Sequence, residues 1–296
     1  MVRIADALDE REAGDWWFEM WQPEKVNGEP FVDVPTDTLA TSQDAWVLKP
    51  DDDWHGFGDL GEKYCMLDPI KVTTMTPGIG PDGKLTEWGI PATLVSYVLD
   101  SLGIIVEKTE PYSILTLFTV GVTKGKWGSL VAGYMRFKEL YDANARLSTT
   151  LPVLVEKYPE RYGQMGLREL ADQMHDAMGK HDILGILDRA FNDLPEPALS
   201  PREAFAKLVR GEVEEIPVSE AEGRIVAVQV VPYPPGIPLL MPGERFSKES
   251  PAVREYLLGL EAFDQQFPGF EHHNHGVEMK TGEDGKGYYA LYCLKE

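Results

Sequence analysis

The sequence predicts an α+β fold in two parts, and three features carry that reading. Residues 70–144 run strand, helix, strand, strand, helix, an order that suits helices laid over a mostly antiparallel sheet. Beyond Leu147 the pattern changes to short helical runs broken by proline, which divides the chain into 1–146 and 147–296, the second part reading as α/β. Finally, Val230 to Glu244 (VVPYPPGIPLLMPGE) holds five prolines, two glycines and almost no ordinary polar residue. Proline fixes φ and removes a donor, so this ribbon is neither helix interior nor central strand. A flexible linker would be polar; an apolar, stiff one lies against a folded body.

Taken in order, residues 3–13 suit a short amphipathic helix with Ile4, Ala7 and Leu8 on one side. Trp16 to Trp21 is an aromatic cluster whose simplest role is packing, because such rings supply much buried area. Residues 22–44 read as loop, Ala45–Leu48 as a short strand. Ile70–Met75 alternates as a strand and stops at Thr76-Pro77-Gly78. Pro91 then opens a helix, where a missing N–H costs nothing. Leu94, Val95, Val98, Leu99 and Leu102 give that helix one apolar face, and Gly103 ends it. Ile104–Val106 reads as a buried-type strand, Ser113–Val120 as another, and Lys126–Asn144 as a long helix.

In the second half, a helical run ends at Tyr158-Pro159. Gly166–His181 stacks Leu167, Leu170, Met174 and Met178 on one helical face. Ser200-Pro201-Arg202-Glu203 is a capping box with proline at the first helical position. Ile225–Val231 reads as a strand feeding the ribbon, a helix runs from Ser250-Pro251 to about Phe263, and Gly287–Leu294 alternates as a closing strand.

Composition excludes several classes of function. The chain has 296 residues, 43% of them hydrophobic, with 28 Lys+Arg against 49 Asp+Glu and a formal charge of −21. That charge opposes nucleic acid and anionic membrane surfaces as partners. It also permits attraction of a cationic substrate, though a solvated acidic surface is the simpler reading. Two distant cysteines, Cys65 and Cys293, make no disulfide framework and suit a reducing cytoplasm. No signal peptide is seen, and no run approaches the ~20 apolar residues that span a bilayer.

Candidate chemistry is sparse. Asp51-Asp52-Asp53 lacks the glycine and distal glutamate of a calcium loop. His55 suits a partly buried histidine held by a carbonyl. Gly78-Ile79-Gly80-Pro81-Asp82-Gly83 lacks the strand–GxGxxG–helix context of a phosphate cradle. Glu271-His272-His273-Asn274-His275 is dense in histidine, but its spacing is not the i, i+4 of a zinc helix, so it reads as loop with no metal. No GxSxG elbow is present. Glu107, after the apolar run Ile104–Val106, reads either as an ion-pair partner of Lys108 or as a functional carboxylate.

The motifs narrow this further. The proline ribbon, Ser200–Phe205, Glu222-Gly223-Arg224-Ile225, Phe267-Pro268-Gly269-Phe270-Glu271 and His275-Gly276 resemble the bacterial pyridoxal-phosphate-dependent ornithine/lysine/arginine decarboxylases. So do Leu67–Val72, Gly103–Thr109 and Thr123–Gly128 (TKGKWG). The resemblance implies that residues 1–146 form the aminotransferase-type small domain of a fold-type-I enzyme and 147–296 the family's C-terminal domain. It implies that Glu107, in Glu107-Lys108-Thr109…Tyr112, faces the cationic end of the substrate; Glu110 matches less well. In the family a lysine after Ser-x-His forms a Schiff base with pyridoxal phosphate, and this chain contains no Ser-x-His-Lys. The expectation is therefore the C-terminal portion of a basic amino-acid decarboxylase, arginine first from TKGKWG, with lysine and ornithine open. Such a chain would not hold pyridoxal phosphate or decarboxylate alone. Its partners would be copies of itself or a separate large-domain chain. The alternatives are a non-catalytic assembly or regulatory module and one subunit of a split enzyme.

Overall fold

The computed structural model describes residues 16–50, 52–233, 235–283 and 285–295. The amphipathic helix expected at 3–13 lies outside the described residues, as does Asp51. The fold is α+β, and every strand pairing among the described residues is antiparallel. Two compact units form. One holds the described residues up to Gly78 with Trp88–Pro152 and Gly166–Arg168; the other holds Ile79–Glu87, Val153–Met165 and the chain from Glu169 onward.

The first unit is a four-stranded sheet built from β1 (Glu19–Met20), β2 (Lys71–Met75), β3 (Lys108–Glu110) and β4 (Ser113–Leu117), in the order β1-β2-β4-β3. Thr74 pairs with both Met20 and Ile114, so these three side chains share a face. Helix α1 (Ala92–Ser101) buries Leu94, Val95, Val98 and Leu99, the face that the period predicted. Each such side chain contributes roughly 1.5–3 kcal/mol by leaving water. Helix α2 (Lys124–Asp142) buries Tyr134, Phe137 and Tyr141. Trp17 meets Phe137 and Tyr141 edge-on at 6.3 and 5.7 Å, and Phe18 is buried beside Tyr134, so the aromatic cluster is packing. A satellite core of Val26, Phe31, Val34, Leu39 and Ala45 gives residues 22–44 more order than the loop expected, including the helix Thr36–Thr41.

Two expected strands need correction. Ala45–Leu48 reduces to a single bridge between Val47 and Met66. Ile104–Val106 is no strand. The N–H of Ile104 closes the end of α1 on the Leu99 carbonyl at 2.9 Å, and Ile105 is 84% exposed. The ladder begins only at Lys108. An apolar β-branched run is a strand signal, but here capping a helix took the backbone first.

In the second unit, α3 (Leu167–Lys180) buries Leu170, Met174 and Met178 as its period predicts. Helix α4 (Ile183–Asn192), absent from the sequence reading, packs on α6 (Ala252–Gln266). Between them, α5 (Pro201–Val209) starts at the expected capping box: Ser200 Oγ takes the Glu203 N–H while Glu203 takes the Ser200 N–H. Strand β5 (Val213–Pro217), β8 (Glu278–Thr281) and β9 (Gly287–Leu294) form a sheet in the order β8-β9-β5. Strand β6 (Val231–Tyr233) pairs with β7 (His273–His275).

The proline ribbon lies on this unit rather than hanging free. Val230 and Leu240 are buried and bridge each other, while Tyr233 and Ile237 project at the tip. Pro232 sits in β6, a two-stranded pair where a missing donor is tolerated. Of the strand expected at Ile225–Val231 only Val231 lies in β6, while Ile225, Val226 and Val230 make isolated bridges. The preceding N–H groups go to three different partners: Val226 to Glu244, Ala227 to Tyr292 and Val230 to Leu240.

Candidate functional site

Glu107 stands at the start of β3. Its N–H donates to the Leu115 carbonyl at 2.9 Å, extending the ladder by one residue. Its side chain is exposed, and no bond holds the carboxylate among the described residues. The neighbouring lysine pairs elsewhere: Lys108 Nζ reaches Glu110 Oε1 at 2.5 Å, both half-buried. The alternative of a Glu107–Lys108 pair is thereby replaced, and Glu107 is left free to accept from a cation without breaking an existing contact.

The strand behind it is well fixed. Thr109 and Ser96 hydroxyls meet at 2.7 Å, tying β3 to α1. Tyr112 is buried, and burial raises its phenol far above the ordinary value, so it stays neutral. Gly78, at φ +138°, lies against that ring, where a Cβ would collide. Nearby, Ile104, Ile105, Phe118, Trp127 and Leu130 line a cleft of about 340 Å³ with Lys126 as its charged member. A lysine repels a cationic ligand, so this cleft alone is no cation pocket; Glu107 is not in its lining.

Other candidates resolve into structure. His55 is buried; its Nδ1 accepts the Phe57 N–H, so Nε2 carries the proton and donates to the Lys49 carbonyl at 2.8 Å. In the glycine loop, the Gly80 and Gly83 N–H groups are occupied by the Lys84 and Gly80 carbonyls. The histidine-rich run is a strand, not the loop expected.

That strand touches a polar cluster which no local sequence signal announces. Asp264 on α6 is 3% exposed, and His272 Nδ1 meets its Oδ1 at 2.6 Å. The Tyr289 hydroxyl on β9 donates to Asp264 Oδ2, and Asn274 Nδ2 donates to that hydroxyl at 3.2 Å. Burial first, then the Asp264 charge, raises the Tyr289 phenol strongly, so it remains a donor. Glu261, one helical turn earlier, accepts the Tyr289 N–H at 2.6 Å, and burial raises its carboxyl. A buried carboxylate held by several donors is a fixed anchor between α6, β7 and β9.

Comparison with known proteins identifies the class. Residues 2–126 match the Orn/Lys/Arg decarboxylase major domain, and residues 185–295 match the Orn/Lys/Arg decarboxylase C-terminal domain. Both matches are to domains of the Orn/Lys/Arg decarboxylases. The first match corrects one expectation: the chain is not confined to the family's C-terminal part, since residues 2–126 carry major-domain sequence. It is 47% identical over 293 residues to the lysine decarboxylase LdcA of Pseudomonas aeruginosa, covering 99% of this chain and 38% of that protein. It is 41% identical over 310 residues to the biodegradative arginine decarboxylase of Escherichia coli, covering 99% and 40%. The solved lysine decarboxylase A from Pseudomonas aeruginosa superimposes with a TM-score of 0.87 at 46% identity, covering 99% of this chain and 38% of that one. The chain thus spans about two fifths of the length of the relatives it matches.

The described residues do not fit the family's cofactor by themselves. A Schiff-base lysine must lose its proton in an enclosed pocket. Every described lysine is exposed or half-buried, and the half-buried ones (Lys108, Lys138, Lys207 and Lys280) each pair with a carboxylate. No helix among the described residues is long and apolar enough to cross a membrane.

Proposed function

We propose that this chain supplies part of a pyridoxal-phosphate-dependent decarboxylase acting on a basic amino acid in the cytoplasm, and that it is inactive alone. Residues 1–146 serve as the small, substrate-facing lobe within the major-domain sequence, and 147–296 as the C-terminal domain. Lysine stands ahead of the arginine suggested by TKGKWG, since identity is 47% to a lysine decarboxylase and 41% to an arginine decarboxylase. The active form is a family-type oligomer in which sequence carrying Ser-x-His-Lys, on the same polypeptide or a separate one, joins these residues.

The observation that carries the substrate reading is the free carboxylate of Glu107. It is exposed, unpaired and fixed at the head of a β-ladder, while its neighbours Lys108 and Glu110 satisfy each other. A carboxylate so placed forms a charge-assisted bond to the distal ammonium of lysine. The test is co-expression with a large-domain partner bearing Ser-x-His-Lys, followed by CO2 release from lysine, arginine and ornithine. Activity should be highest on lysine, and Glu107→Gln should raise KM for lysine by about tenfold or more, since each 1.4 kcal/mol of lost binding is tenfold. An unchanged KM would remove Glu107 from the substrate site.

A further inference from the structure

The histidine-rich run EHHNH reads differently as a strand than as a helix or loop. In β7 successive side chains point to opposite faces. His272 and Asn274 turn inward: His272 is held by Asp264, and Asn274 is 6% exposed and bonded to Tyr289. His273 and His275 turn outward and are both exposed. Their ring centroids lie 4.9 Å apart at 74°, so the two imidazoles sit side by side on the surface.

That spacing has a chemical meaning. Around a tetrahedral ion with nitrogens at about 2.0–2.1 Å, two imidazole centroids sit roughly 5 Å apart. We propose that His273 and His275 form a two-imidazole chelate for a borderline divalent ion of the Zn2+, Ni2+ or Cu2+ type. Such ions favour imidazole nitrogen, whereas Mg2+ and Ca2+ take oxygen ligands. No group of three or more His, Cys, Asp or Glu converges among the described residues, so water completes the coordination and the ion stays exchangeable.

The strand is rigid enough to hold the pair. Asp264 clamps its inner face through both the His272 ring and the His272 N–H, the latter at 3.1 and 3.2 Å. Pairing with β6 fixes its backbone, His273 opposite Tyr233 and His275 opposite Val231. Little backbone freedom remains to be lost on binding, which favours a chelate made of only two side chains. The net charge of −21 raises the local concentration of cations.

The experiment is calorimetric titration of the full chain, free of any histidine tag, with Zn2+. One Zn2+ per chain is expected, and His273→Ala and His275→Ala should each weaken binding by about tenfold or more. His181→Ala, a histidine remote in sequence, should leave affinity within about twofold. Both target rings are exposed, and circular dichroism confirms that the variants fold. Cu2+ in place of Zn2+ gives an independent readout: two coupled nitrogens in its electron paramagnetic resonance spectrum, one in either single variant. No stoichiometric uptake, or uptake that survives His273→Ala/His275→Ala together, would overturn the site.

Discussion

The two units handle their carboxylates in opposite ways. In the first, Glu107 stands unpaired at a strand head with water around it. In the second, Asp264 is buried and bonded to Tyr289, to the His272 ring and to the His272 backbone. An exposed, unpaired charge adds almost nothing to stability and is available to a ligand. A buried charge is stable only while its donors remain, and it is available to nothing. The difference separates a carboxylate open to solvent from one committed to architecture.

Substitutions should sort along that line. Asp264→Ala strands the Tyr289 hydroxyl and the His272 ring, and should cost about 3–5 kcal/mol in urea unfolding of the chain. Gly78→Ala puts a Cβ at φ +138° against the Tyr112 ring and should cost about 1–3 kcal/mol by the same measurement. Ser200→Ala removes one half of the capping box and should cost about 1 kcal/mol.

A pH series adds a smaller effect. Partial burial, then Lys180, lowers the pKa of His181 below the ordinary 6.5, so the unfolded chain takes up that proton more readily than the folded one. The folded state is therefore favoured above pH 6.5 and loses this contribution as the pH falls through 6.5 towards the lowered value. Solvent screening holds it below about 0.5 kcal/mol, and His181→Gln should flatten that limb of the stability profile. At the bottom of the scale, Glu107→Gln should change stability by no more than about 0.5 kcal/mol. A large loss there would mean that Glu107 is architectural after all, and the contrast with Asp264 would fail.

Much of the fold was legible because local signals and tertiary packing agreed. The face of α1, the capping box at Ser200 and the alternation of β9 each depend on residues close in sequence. Ile104–Val106 misled because its backbone closes α1, an outcome that composition does not reveal. The run at His273–His275 is a strand because β6 pairs with it, which neither Gly276 nor the histidine spacing reveals. Asp264, His272 and Tyr289 could not be assembled from the sequence, since α6, β7 and β9 meet only in the folded unit. The freedom of Glu107 from Lys108 was not legible, because Lys108 turns to Glu110 only in the folded ladder.

In the proposed function these residues carry the family's sequence, and the lysine that holds the coenzyme comes from a Ser-x-His-Lys segment. The direct measurement is borohydride reduction of the chain incubated with pyridoxal phosphate, followed by peptide mass spectrometry. No stoichiometric pyridoxyl-lysine is expected in the chain alone, and a single one, in the Ser-x-His-Lys segment, once that segment is supplied. A stoichiometric adduct on one lysine of these 296 residues, together with CO2 release, would contradict that expectation.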